Sequence, residues 1–140
     1  MAGSLTQLSA HRYSRVLVEI ETARLLFDNG SYRSSLNRSY YALFHAIRAV
    51  NALDGFDSSK HSGVIAHFNQ YYVKTGRFES SVSSIIRHAS VMREQADYDD
   101  YFAATSEDAA ECLEKSSVFI DAVGKFLQGS DIITQSEARQ

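Results

Sequence analysis

The residues best suited to chemistry in this sequence lie within one short segment, Arg38 to His45. Arg38 and His45 are seven residues apart, so on an α-helix they return to the same face after two turns, with Tyr41 between them. Their Cα atoms would lie about 10 Å apart along the helix axis. Arginine binds phosphate oxygens in pairs, and a neutral histidine can act as a general base near pH 7. This trio suits cleavage of an RNA phosphodiester, in which a 2′-hydroxyl loses its proton while negative charge builds on the phosphate.

The same segment also has a purely structural interpretation. Arg38 could pair with an acidic residue on a neighbouring helix, and His45 could form a hydrogen bond with a backbone carbonyl inside the fold. Tyr40 and Tyr41 could be half-buried packing residues. Spacing alone leaves both interpretations open.

A second group of polar residues runs from Arg93 to Tyr101. Arg93 and Asp97 are four residues apart and can pair along a helix surface, which typically contributes a few tenths of a kcal/mol. This group could be a solvated helix end with one ion pair. Its run of carboxylates could instead hold a divalent cation, although no spacing here matches a calcium-binding loop.

The histidines do not form a metal-binding pattern. His61 and His67 are six residues apart, so on a helix they point about 120° away from each other. His61 follows Lys60 at a predicted helix start, where it is either a cap-region residue or a contact for an anion at the helix N-terminus. The sequence has no phosphate-binding glycine-rich loop, no His-Glu-x-x-His and no paired cysteines. We therefore predict no metal site and no cofactor.

The elements that must position these residues are predicted to be helices. Proline is absent from the 140 residues, and proline would interrupt helices. Apolar residues recur at helical spacing in five segments, and no β-type alternation competes with them. The predicted helices cover roughly Leu5–Asn29, Ser31–Leu53, Lys60–Lys74, Glu79–Ala96 and Thr105 to about residue 128. Short connections between them predict an all-α fold, an antiparallel up-and-down bundle of four to five helices.

Local signals support these helix ends. Asn29-Gly30 predicts a helix stop, and Ser31 is expected to cap the next helix. Thr105 to Asp108 has the pattern of a capping box. Predicted core positions include, with others at the same spacing, Tyr13, Val16, Ile20, Ala23, Leu25, Phe27, Leu43, Ile47, Val64, Phe68, Tyr71, Tyr72, Ile86, Ala89, Cys112, Phe119 and Leu127.

Composition limits the class of protein. The net charge is −3 and the isoelectric point is about 5.9, which argues against a broad surface for duplex nucleic acid but leaves room for a local basic cleft. One cysteine, no long apolar run and no secretory signal predict a cytoplasmic protein without membrane contact. We expect one domain over residues 1–140, with a core at about 5–128 and a polar tail at 129–140.

Several ordered segments together resemble the HEPN family, in its small single-domain bacterial and archaeal branch. They begin with Arg38-Ser-Tyr-Tyr-Ala-Leu-Phe-His45 and continue through Lys60-His61-Ser-Gly-Val-Ile and Phe68 to Gly76. They end with Arg93-Glu-Gln-Ala-Asp97-Tyr98 and the helix around Phe119. The resemblance covers nearly the whole chain, from about residue 5 to residue 127.

The resemblance implies a helical bundle that forms a homodimer. Many such relatives are ribonuclease toxins encoded beside a small nucleotidyltransferase that neutralises them. Their active site pairs an Arg with a His four to six residues later, and the dimer brings two such sites together. Arg38 and His45 satisfy this spacing.

In nuclease relatives the catalytic Arg usually lies on a later helix, which corresponds here to Arg93, with Asp97 at the position of the His. Tyr98 and Tyr101 correspond to a tyrosine that is nucleotidylated in relatives. The candidate catalytic residues are therefore Arg38, His45, Arg93 and Asp97, and the candidate ligand-binding residues are Tyr41, His61 and Tyr98.

Two functions follow from this comparison. The first is a toxin-antitoxin-like component that acts with a nucleotidyltransferase and cleaves RNA as a metal-independent endoribonuclease. The second is a catalytically inactive bundle that binds a nucleotide or another protein. The Asp at position 97 and the acidic balance of the chain motivate this second interpretation.

Overall fold

A computed structural model describes residues 2–138 of the chain, and within them it is all-α, as the sequence predicts. Six helices are present in these residues, and five of them have eight residues or more. They are α1 (Ala2–Asp28), α2 (Tyr32–Asn51), α3 (His61–Phe68), α4 (Ser81–Tyr98), α5 (Ser106–Gly129) and α6 (Gln135–Ala138). A 3₁₀ turn, Ala52–Asp54, extends α2, and a π-helical turn, Asn69–Val73, extends α3.

The four long helices α1, α2, α4 and α5 alternate in direction. The Ser35 hydroxyl donates to the Ala23 carbonyl at 2.7 Å, while Arg12, near the start of α1, reaches the Arg48 carbonyl near the end of α2. Helix α5 is antiparallel to α1, because Tyr13 donates to the Ile120 carbonyl while Arg24, later in α1, donates to Ser117, earlier in α5. The result is the predicted up-and-down bundle, with α3 as a short excursion between α2 and α4.

Helix α2 lies at the centre of the bundle and contacts α1, α3, α4 and α5. Its small residues Ala42, Ala46 and Ala49 are completely buried, which lets the neighbouring backbones approach closely. Leu43, Ile47 and Val50 complete its core face. Most of the predicted core positions are buried, including Cys112, where burial raises the pKa of the thiol to about 12.

The helix ends follow the predicted signals with one exception. Gly30 has a positive φ of 78°, and the Ser31 amide bonds to the Leu26 carbonyl, which closes α1. Thr105 and Asp108 form the predicted capping box at α5. Ser31 stands at the N-cap of α2, but its side chain makes no capping bond, and its backbone N–H bonds to the Leu26 carbonyl.

Two predicted core residues are exposed instead. Leu25 is 58% exposed, because it lies two residues after buried Ala23 and therefore points to the opposite face of α1. Tyr71 is also exposed and packs on His67, at a ring separation of 4.6 Å. The π-helical turn adds a residue to the helix at this place and rotates Tyr71 away from the core.

The segment after α5 differs from a purely polar tail. Ile133 is only 5% exposed and joins the main core cluster, while Ile132 packs against that cluster. Arg139 and Gln140, the last residues of the expected tail, lie outside the described residues. No helix in the described part of the chain is both long enough and apolar enough to cross a lipid bilayer.

Candidate functional site

A cavity of about 580 Å³ lies between α2, the loop that follows it and the first residue of α3. Helix α2 contributes one polar face to it, because Tyr41, His45 and Arg48 follow each other at helical spacing. The full lining is Tyr41, Phe44, His45, Arg48, Asp57, Ser58, Ser59 and His61. The cavity thus contains two imidazoles and a guanidinium, groups that bind and act on phosphates.

His45 is held by a carboxylate from α1. Its Nδ1 lies 2.9 Å and 3.1 Å from the two carboxylate oxygens of Glu19. An ionised carboxylate only accepts hydrogen bonds, so a neutral His45 carries its proton on Nδ1 and has a free lone pair on Nε2. Within residues 2–138 no hydrogen bond reaches that Nε2. His45 therefore has the tautomer that a general base needs, rather than the predicted alternative of a bond to a backbone carbonyl.

His61, the first residue of α3, faces His45 across the cavity lining. Its Nδ1 lies 3.0 Å from the Tyr40 hydroxyl, and its ring stacks on Phe44 with the ring centres 4.0 Å apart. Burial lowers the pKa of His61 below its ordinary value of 6.5, and the positive charges of Arg93 and Arg48 are among the effects that lower it further. His61 is therefore neutral at pH 7 in the unliganded protein.

Tyr41 connects the two groups of residues that the sequence analysis singled out. The Nη2 of Arg93, on α4, donates to the Tyr41 hydroxyl at 3.4 Å, and the guanidinium lies 5.3 Å from the centre of the Tyr40 ring. Burial acts to lower the pKa of Arg93, but the hydrogen bond to Tyr41 and the electrostatic contribution of both tyrosines and Asp97 outweigh it and raise that pKa. Arg93 thus supports the wall of the cavity from behind Tyr41.

Arg48 lies at the other end of the cavity, where it pairs with Asp57. Its Nη2 and Nε lie 2.7 Å and 3.2 Å from the two carboxylate oxygens. Arg12 of α1 shares the same carboxylate at 3.4 Å and also donates to the Arg48 carbonyl at 3.2 Å. The hydrogen bond from Arg48 is the largest of the effects that lower the pKa of Asp57, so this carboxyl is ionised at neutral pH.

The remaining candidates lie outside the cavity. Arg38 is exposed, and within the described residues it makes no hydrogen bond or ion pair, so the predicted pairing with a neighbouring acid is not formed. Asp97 pairs with Arg93 at 3.3 Å, as its spacing predicted. Tyr98 is 75% exposed, with its ring centre 5.9 Å from the Arg93 guanidinium. The catalytic or binding roles assigned to these residues remain predictions.

Three residues of the site were not identified from the sequence. Arg48 could have been, because it lies one turn beyond His45 on the same helical face. Glu19 and Asp57 carried no local signal, since each meets the site only through the packing of α1 and the loop against α2. Among the residues that the structure describes, no three His, Cys, Asp or Glu side chains lie close enough together to hold a metal ion.

The model of the HEPN domain family matches residues 13–126, which is most of the chain and includes the whole cavity. With the helical bundle and the site described, this match shows the class of protein. The chain belongs to the HEPN domain family.

Similar proteins come from Thermotoga maritima and Methanocaldococcus jannaschii, among others. A protein of Thermotoga maritima named UPF0332 protein is 33% identical over 109 residues, which cover 78% of this chain and 83% of the relative. A protein of Methanocaldococcus jannaschii, "Putative toxin MJ0605", is 33% identical over 109 residues, covering 78% and 81%. A second one from the same archaeon, "Putative toxin MJ0142", is 27% identical over 114 residues, covering 81% and 78%.

Proposed function

We propose that this chain is a toxin-like HEPN ribonuclease that cleaves RNA without a metal ion, with His45 as general base. The observation that carries the proposal is the pairing of His45 with Glu19 at the wall of a cavity that also holds His61 and Arg48. A histidine oriented by a carboxylate is a recurrent arrangement for proton abstraction near neutral pH.

The proposed reaction uses each group of the cavity once. The Nε2 of His45 removes the proton of a 2′-hydroxyl, and the resulting oxygen attacks the adjacent phosphorus. Arg48 neutralises the charge that builds on the phosphate oxygens. The bond from phosphorus to the 5′-oxygen breaks, and His61 donates a proton to that oxygen. The products are a 2′,3′-cyclic phosphate and a 5′-hydroxyl end.

His61 must be protonated to act as the acid, although it is neutral in the unliganded protein. An entering phosphate places a negative charge beside the imidazole and favours its charged form. Arg48 is one of the positive charges that lower the pKa of His61. A bound phosphate offsets that charge, so the pKa of His61 should rise when substrate binds.

The partners are part of the proposal. The names of the two Methanocaldococcus relatives favour a toxin. The resemblance of the sequence adds a cytoplasmic homodimer that is neutralised by a nucleotidyltransferase. Expression of the chain alone is expected to slow growth, and co-expression of a neighbouring nucleotidyltransferase to restore it. Recovery of no nucleotidyltransferase with the native protein, together with no such neighbouring gene, would count strongly against this partner.

The test of the activity compares cleavage of a labelled RNA in EDTA by the wild type and by His45→Ala. Loss of a general base is expected to reduce the rate about 10²- to 10⁴-fold. His88→Ala is the matched control, because His88 also pairs with a carboxylate, that of Glu111 at 2.6 Å, but lies outside the cavity. Cleavage by His45→Ala at the wild-type rate would contradict the proposal, and so would products without a cyclic phosphate.

A second candidate is a nucleotide-binding bundle without catalysis. The pairing of Asp57 with both Arg48 and Arg12 favours it, because this carboxylate already neutralises Arg48, the arginine that would have to stabilise the reacting phosphate. Asp97 at the position of a catalytic His favours it as well. Calorimetry with ATP, GTP and AMP tests this candidate: heat of binding by a protein that cleaves no RNA would support it.

A further inference from the structure

A second cavity, of about 260 Å³, adjoins the first on the side of α1. Its lining consists of Arg12, Arg15, Glu19, His45 and Arg48. Since His45 and Arg48 line both cavities, the two lie side by side at the proposed general base, and together they are called the groove.

The charges in this second cavity are unevenly paired. Glu19 is occupied by His45, and Arg12 shares Asp57 with Arg48. Arg15 is exposed, and no side chain in the part of the chain that the structure describes forms a hydrogen bond or ion pair with it. Arg12 and Arg15 are three residues apart, so both lie on the face of α1 that borders the groove. This end of the groove therefore offers a guanidinium without a counterion.

We propose that this second cavity binds the phosphate next to the one that is cleaved. The ligand of the groove is then an RNA strand with at least two consecutive phosphates, rather than a mononucleotide. This inference rests on the proposed function, because it takes the reacting phosphate to lie beside His45. Arg15 contacts the second phosphate directly, as arginine does at phosphate sites on single strands.

Asp57 determines how much of the groove is open to this ligand. Its carboxylate lies on the loop between α2 and α3, is 43% exposed, and forms ion pairs with Arg12 and Arg48. When an RNA strand binds, its phosphates must displace this carboxylate from both guanidiniums. Replacement of Asp57 by Asn removes the competing charge and is expected to tighten RNA binding.

The experiment measures binding by fluorescence anisotropy with a six-nucleotide 2′-O-methyl RNA, which lacks the attacking hydroxyl and cannot be cleaved. Arg15→Gln is expected to weaken binding about ten-fold at low salt, and to reduce the salt dependence by about 0.7, the slope for one phosphate contact on a single strand. Binding of AMP should not change. Arg24→Gln is the matched control, since Arg24 lies on the opposite face of α1 and bonds to Ser117.

Binding of the oligonucleotide by Arg15→Gln as tightly as by Arg24→Gln would overturn the subsite. Weakening of AMP binding to the same extent would also overturn it, because one phosphate would then suffice. The proposed function can fail separately. If RNA binding depends on Arg15 but unmodified RNA is not cleaved, the subsite stands and the ribonuclease proposal is wrong. If RNA is cleaved but neither binding nor cleavage depends on Arg15, the ribonuclease proposal stands and the subsite is wrong, and if RNA does not bind, both proposals are wrong.

Discussion

At the scale of single residues, the site depends on two imidazoles with different surroundings. Glu19 fixes the proton of His45 on Nδ1, whereas His61 has a tyrosine hydroxyl at Nδ1 and two arginines among the groups that lower its pKa. In the proposed reaction His45 accepts a proton at Nε2, and His61 donates one after an entering phosphate has favoured its charged form. The two roles thus differ in what prepares them: a carboxylate of the protein for His45, and the phosphate of the substrate for His61.

The lowered pKa of His61 leads to a prediction about pH. In the unfolded chain its pKa is near 6.5, so between that value and the lower folded value the unfolded state binds more protons. The free energy of unfolding should therefore decrease as the pH falls from above 6.5 through the folded pKa of His61. Denaturant titrations over this range, with wild type and His61→Gln, measure the effect. An equal pH dependence in both proteins would contradict it.

The sequence was enough to pick out individual candidate residues, but not the side chains from other helices that contact them. His45 and Tyr41 were found because helical spacing places them on one face, and Arg93 was found with Asp97 for the same reason. The contact of His45 with Glu19 joins residues 26 positions apart, so it depends on how α1 and α2 pack. No property of the local sequence encodes that register.

At the scale of elements, the helices were predictable because their signals are local. Absence of proline, apolar spacing and the Thr105 capping box fix where helices form and end. The π-helical turn at Asn69–Val73 was missed, since it depends on packing rather than on a start or stop residue. That turn exposes Tyr71, which the regular spacing placed in the core.

The close approach of α1 and α5 gives a prediction at this scale. Gly124 of α5 is buried, and a Cβ at that position would collide with the Tyr13 hydroxyl, which is itself bonded to the Ile120 carbonyl. Gly124→Ala is expected to lower the free energy of unfolding by about 1–3 kcal/mol, because the buried ring has no room to move. Thermal or denaturant unfolding measures this change.

Gly129, at the end of the same helix, is the matched control. An added Cβ there meets nothing within 4 Å, so Gly129→Ala should leave stability unchanged or raise it by up to about 1 kcal/mol. Similar losses in both variants would mean that the contact with Tyr13 does not decide the result.

At the scale of the whole molecule, the cavity lies where several elements meet. Helix α2 supplies Tyr41, His45 and Arg48, the loop supplies Asp57, and α3 supplies His61. Arg38 lies on the same side of α2 but beyond the cavity, with its charge free for contact with another molecule. We expect that in the proposed homodimer the Arg38 of one copy adds a second guanidinium to the site around the His45 of the other, as the resemblance to nuclease relatives implies.

Mixing of two inactive variants tests this arrangement. Arg38→Ala and His45→Ala are each expected to be inactive as homodimers. After dissociation and re-association in equal amounts, about a quarter of the wild-type rate should return, because half of the dimers are mixed and each mixed dimer has one intact site. No recovery of cleavage would show that Arg38 and His45 do not act across a dimer. Arg33→Ala, an exposed arginine near the start of α2, serves as the control.

The position of α2 has a consequence for how this protein can diverge. One face of the helix is the centre of the core, the other is the wall of the cavity, and Phe44 belongs to both. A substitution on α2 that reshapes the cavity therefore also disturbs the packing of α2 against α1, α3, α4 and α5. New specificities are more accessible through Arg15 on α1 and the loop around Asp57, because these exposed positions border the groove and can vary without repacking the bundle.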